Sequence, residues 1–152
     1  MTAPPRLQRE RLCLQGVVAV LACVPILVGL AGVSAGIAAF DTRLGAGEPG
    51  DAFDAPNRDV DSHLRYLSGL MLAIGVGFWS TVPAIEARGC RFRLLAALVL
   101  VGGLARLTAA LRLGLPGTGM VCGLILELLV TPALALWRES LEQRLRCGAA
   151  RP

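Results

Sequence analysis

The sequence predicts an all-α polytopic membrane protein, a four-helix bundle with both termini in the cytoplasm. Three observations carry that expectation. Of the 152 residues, 55% are hydrophobic and only 17% are charged. The apolar residues come in blocks instead of alternating with polar ones, as the two faces of a soluble element would require. Val17–Phe40 runs 24 residues without a charge and Tyr66–Ile85 runs 20, each long enough to cross a hydrocarbon core of about 30 Å as a helix. The region from Leu94 to Trp137 adds an apolar hairpin, for four spans in all, and leaves no length for a separate soluble domain.

The third observation is where the charge lies. All 15 basic residues are arginine. Ten fall on one side of the spans: Arg6, Arg9 and Arg11; Arg88, Arg91 and Arg93; and Arg138, Arg144, Arg146 and Arg151. Four fall on the other: Arg43, Arg58, Arg65 and Arg112. The positive-inside rule then puts both ends in the cytoplasm, with those ten arginines setting orientation and touching anionic lipid heads. The same distribution turns the net charge of +4 away from nucleic acid and toward the bilayer as partner. The expected location is the inner (plasma) membrane, multi-pass.

Taken in order, residues 1–11 read as a cytoplasmic tail, with the transmembrane domain at 12–138 and a second tail at 139–152. A signal peptide is the alternative for residues 1–35, but the apolar run far exceeds the usual 7–15 residue core. The first span, about 14–40, contains Pro25, expected to kink it, and Gly29, Gly32 and Gly36 within about 60° of one another, a stripe that admits a second helix. An extracytoplasmic loop follows at 41–60, rich in Gly, Ala, Asp and Pro. Its acids, Glu48, Asp51, Asp54 and Asp59, together with Asp61, fit no EF-hand spacing and read as a solvated acidic loop.

The second span, about 64–85, is entered through Asp59-Val-Asp-Ser-His-Leu-Arg-Tyr-Leu-Ser-Gly69, where Asp59 or Asp61 is expected to cap the helix start. Helical spacing sets Asp61, Arg65 and Ser68 within about 60° and His63 about 160° from Arg65. One reading makes this stretch an interfacial cap with an aromatic anchor. The other points Arg65 and Ser68 inward, as the roof of a polar pocket, with Asp61, His63 and Tyr66 as accessory residues.

The hairpin supplies the rest of that pocket. Its arms, about 94–114 and 118–137, hold one interior charge each, Arg106 and Glu127, with Leu115-Pro116-Gly117-Thr118 as the turn. The midpoint of the two charges falls on that turn, so they sit at matching depth, roughly 12–14 Å from the nearer surface. An isolated charge at mid-membrane costs about 2.5–3.5 kcal/mol on insertion scales, so two at one depth are expected to pair. Gly102, Gly103, Ala109 and Ala110 share the Arg106 side, and Met120, Gly123 and Thr131 accompany Glu127, with Gly119-x-x-x-Gly123 as a packing motif. Pro132 is expected to bend the helix just beyond Glu127, and Trp137 with Arg138 to end it at the interface. The five cysteines, Cys13, Cys23, Cys90, Cys122 and Cys147, form no CxxC and have one histidine to complement them, so neither a metal site nor a disulfide framework is expected.

The runs Asp61-Ser62-His63-Leu64-Arg65-Tyr66-Leu67-Ser68-Gly69, Gly102-Gly103-Leu104-Ala105-Arg106, and Glu127-Leu128 followed by Pro132 and Trp137 resemble the signature of domain-of-unknown-function family 4345, small bacterial four-helix membrane proteins. The resemblance covers roughly residues 15–138. It implies a fold and a membrane location and transfers no catalytic residue. The family in turn looks distantly DoxX/DoxD-like, a group of which some members accompany thiol, sulfur or quinone redox systems.

Four functional readings follow. The leading one is a non-enzymatic bundle that binds a small amphiphile or partner protein through Arg106, Glu127, Arg65 and Ser68 near the outer leaflet, against a purely structural Arg106–Glu127 pair. The second is a membrane subunit of a quinone- or thiol-linked redox system; without CxxC, haem ligands or a nucleotide motif the chain needs a redox partner protein to supply electrons. The third is an acid/base isomerase with Glu127 assisted by His63, weakened by the ~13 Å of helix between their inferred depths. The fourth is a transporter, which a homo-oligomer would serve better than a monomer. No resident cofactor is expected; quinone and lipid are the candidate ligands.

Overall fold

A computed structural model describes residues 4–40 and 55–149, and within these the chain is all α. Helix α1 spans Pro5–Ala35 and closes in a 3-10 turn, Gly36–Ala39. Helix α2 spans Ala55–Thr81 and runs into a second 3-10 turn, Val82–Ala84. Helix α3 is Gly89–Leu113. The fourth rod is continuous but not uniform: α4 (Thr118–Ile125), a π-helical turn (Leu126–Val130), then α5 (Thr131–Ala149). Four rods are long and apolar enough to cross a membrane. Many large apolar side chains on them face outward, among them Val20, Leu70, Val101 and Leu129, as lipid-facing helices require.

The chain divides into two compact units, Ala19–Ser80 and Met1–Val18 with Thr81–Pro152. In the first, α1 and α2 meet through glycine. A Cβ on Gly29 would lie 2.7 Å from the Leu72 backbone nitrogen and 2.8 Å from the Ser68 carbonyl oxygen, so the two backbones touch there. Gly32 receives the buried Ser68 side chain, and Gly75 of α2 receives Ile26 and the Ala22 carbonyl. Such contact gives packing energy where lipid leaves no hydrophobic drive. The helix passes through Pro25 without interruption.

In the second unit the core is small and sits beside the charged segments. Leu14, Ile85, Phe92 and Leu141 are at most 1% exposed. Gln15 Nε2 donates to the Val82 carbonyl at 2.6 Å, tying α1 to the turn before α3. The helices outrun the apolar stretches that suggested them. Residues 5–11 are helical, residues 55–60 already belong to α2, and α5 continues well past Trp137. The acidic loop expected at 41–60 otherwise lies at 41–54, outside the described residues.

Candidate functional site

Arg106 on α3 and Glu127 on the fourth rod form an ion pair, Nη1 to Oε1 at 2.5 Å. Glycine makes the approach. A Cβ on Gly103 would lie 2.8 Å from Glu127 Cβ, and one on Gly123 would lie 3.1 Å from Arg106 Nη1. The guanidinium therefore rests over Gly123 while the carboxylate stem rests on Gly103. The other small residues of the predicted cluster do different work: among the described residues a Cβ on Gly102 or Gly119 would meet nothing within 4 Å, so of the Gly119-x-x-x-Gly123 pair Gly123 packs and Gly119 does not. Arg106 Nη2 also donates to the Met120 carbonyl at 3.1 Å and contacts the Met120 sulfur at 3.0 Å.

Glu127 stands in the π turn. There the Thr131 amide bonds the Leu126 carbonyl, five residues back, and the Thr131 hydroxyl bonds the same oxygen at 2.8 Å. Pro132 has no N–H to give Leu128, so the regular ladder fails at this point and the turn widens ahead of it. The sequence pointed to a bend beyond Glu127; the structure has the irregularity around Glu127 itself. The pair is only partly covered, the Arg106 side chain being 34% exposed and that of Glu127 19%. Glu127 Oε2 is buried and has no hydrogen-bond partner among the described residues.

Arg65 and Ser68 belong to the other unit. Arg65 Nε donates to Asp61 Oδ2 at 2.7 Å, and its Nη1 donates to the carbonyls of Val33 at 2.8 Å and Ser34 at 3.1 Å. Asp61 Oδ1 accepts the Ile37 amide at 2.9 Å. Asp61 and Arg65 thus cap the C-terminal end of α1, where Gly36 takes φ +59 to stop the helix and leave room for the Asp61 carboxylate. This corrects the expected cap on α2, whose start lies at Ala55; Asp61 is inside that helix and serves its neighbour. Ser68 is 5% exposed and packs on Gly32. His63 and Tyr66 stand beside each other on an exposed face, ring centroids 6.3 Å apart.

A third polar group had no counterpart in the sequence reading. Arg138 was expected to mark the interface and meet lipid heads; instead its side chain is 1% exposed. It donates to the carbonyls of Ile85 and Glu86, both at 2.9 Å, and pairs with Glu142, which also holds Arg146. Gly89 leaves the space its guanidinium fills. Nearby, Glu10 Oε1 accepts the Trp137 indole N–H at 2.9 Å and Glu10 also pairs with Arg144, while Arg11 pairs with Glu86 at 3.0 Å. A cleft of about 430 Å³ lined by Gln8, Arg11, Leu12, Gln15 and Pro83 lies on the same unit. The i,i+4 spacing of Arg138, Glu142 and Arg146 was the available signal, but such spacing marks solvated helix faces just as well.

Among the described residues, no three His, Cys, Asp or Glu side chains come together to hold a metal ion. No curated protein and no solved structure matches the chain. The family described as a domain of unknown function, DUF4345, matches residues 13–138, most of the length and all the residues of the Arg106–Glu127 site, and the chain belongs to that family.

Proposed function

We propose that this multi-pass membrane protein binds the polar head of a small amphiphile at the Arg106–Glu127 pair, in the half of the membrane nearer the 114–117 turn. The observation that carries this reading is the incomplete use of the Glu127 carboxylate. One oxygen is paired and the other, buried, has no partner among the described residues. The Arg11–Glu86 pair also leaves one carboxylate oxygen bare, but it stands among the charged residues flanking the apolar runs, whereas Glu127 stands inside one, where an unsatisfied charged acceptor in a low dielectric is costly. The π turn supports the same reading, because such turns interrupt the regular ladder at functional sites more often than elsewhere.

Lipid surrounds the helices, so an amphiphile reaches the site from within the bilayer while its chain lies against the exposed apolar face of α3 and α4, which includes Val101, Leu104 and Ile125. Binding is the activity proposed; no bond-making step is assigned. Native mass spectrometry from gentle detergent tests it. A retained amphiphile mass on the wild-type chain, lost in an Arg106→Leu/Glu127→Leu double variant that stays folded, is the expected result. Equal retention by both proteins makes the pair structural. A quinone as the retained mass would turn the reading toward the redox-subunit alternative.

A further inference from the structure

We infer that the Arg106–Glu127 site selects uncharged amphiphiles whose head carries a hydroxyl, an inference that rests on the binding role proposed above. The first argument is charge. Arginine and glutamate sum to zero, so a ligand with net charge would bring an uncompensated charge into hydrocarbon. The second is hydrogen-bond sense. What the site lacks is a donor, because the unpartnered atom, Glu127 Oε2, is an acceptor. An ester or ketone offers only acceptors and leaves that oxygen as it was. An alcohol supplies the missing proton donor, and a hydrogen bond to a charged acceptor is among the stronger ones.

The third argument is how room is made. Arg106 Nη2 is held by the Met120 carbonyl and the Met120 sulfur at 3.1 and 3.0 Å. The carbonyl is fixed in the backbone of α4. The thioether is a weak acceptor on a flexible side chain, in a residue that is 50% exposed. It is therefore the part of the site that gives way. Gly119, beside it, leaves space, since a Cβ there would meet nothing within 4 Å. With the sulfur displaced, the head group's O–H donates to Glu127 Oε2 and an oxygen of the same head accepts from Arg106 Nη2. Gly103 backs the carboxylate stem meanwhile.

The test uses the full chain in detergent and four probes of one chain length: hexadecan-1-ol, methyl hexadecanoate, hexadecanoate and hexadecylammonium. Dissociation constants come from titration followed by native mass spectrometry. The alcohol is expected to bind about tenfold or more tighter than the ester, which lacks the donor, and tighter than either ion. In Glu127→Gln the arginine is left uncompensated, and the order should reverse toward hexadecanoate. The wild-type series decides the matter even where that variant does not fold. Ester binding as tight as alcohol binding overturns the donor requirement, and a wild-type preference for either ion overturns the neutrality argument. In both cases the site still binds an amphiphile. Loss of all four probes together with any co-purified mass overturns this inference and the binding role at once.

Discussion

Two arginines of the same unit, Arg106 and Arg138, show how differently one residue type is accommodated. Arg106 lies in a long apolar run, pairs with one carboxylate oxygen and remains about a third exposed. Arg138 lies in a charged stretch, yet it is almost fully enclosed and gives its hydrogen bonds to two backbone carbonyls and to Glu142. The carbonyls it satisfies, at Ile85 and Glu86, belong to the turn between α2 and α3. Arg138 therefore joins α5 to that turn as a structural tie. Arg106 is the less enclosed of the two; each group leaves one buried atom without a partner among the described residues, Glu127 Oε2 in one and Arg138 Nη1 in the other. Chain context is thus a poor guide to burial: the more conspicuous charge is the more accessible one.

Substitution should separate the two roles. The largest loss is expected for Arg138→Leu, about 3–5 kcal/mol, because two carbonyls and a carboxylate lose their donor together. Unfolding of the detergent-solubilised chain measures it, and a loss below that of an Arg106 variant would reverse the ranking. Next come Arg106→Leu and Glu127→Leu, each expected to cost about 2–3 kcal/mol, the smaller figure reflecting partial exposure. The double variant should lose less than their sum, since neither charge is then left alone. Additive losses in that cycle would mean the pair contributes no coupling. The smallest effect sharpens the geometry. Gly103→Ala places a Cβ against the Glu127 stem and is expected to cost about 1–2 kcal/mol, whereas Gly102→Ala enters open space and should be neutral or slightly stabilising. Equal responses at the two glycines would contradict the close approach of α3 at Gly103.

Much of this was legible without coordinates, for reasons particular to membranes. A bilayer requires every spanning segment to satisfy its own backbone, so the charge-free runs at 17–40 and 66–85 became helices with little ambiguity. The matched depth of Arg106 and Glu127 followed from the turn midway between them, and the structure pairs them. The division of the α2 entry into an Asp61–Arg65–Ser68 face and a His63–Tyr66 face follows from helical periodicity alone. What Asp61 and Arg65 bind does not, because periodicity fixes a face and leaves open which neighbour meets it.

The number of spans, the turn of the hairpin and the two interior charges can be read before any packing is known, because they depend on local hydrophobicity and on the cost of placing charge in lipid. The remaining features depend on which groups the fold brings opposite one another. Only packing distinguishes Gly103 from Gly102 and Gly123 from Gly119, since each pair is chemically identical and differs in what stands opposite. The enclosure of Arg138 depends on a turn some fifty residues earlier presenting two carbonyls to it. The π turn at Glu127 arises where Pro132 breaks the ladder and Thr131 bonds across the gap, a compromise between the missing donor and the helix's need to satisfy its carbonyls. That compromise, together with Gly103 behind the stem, sets where the Glu127 carboxylate stands.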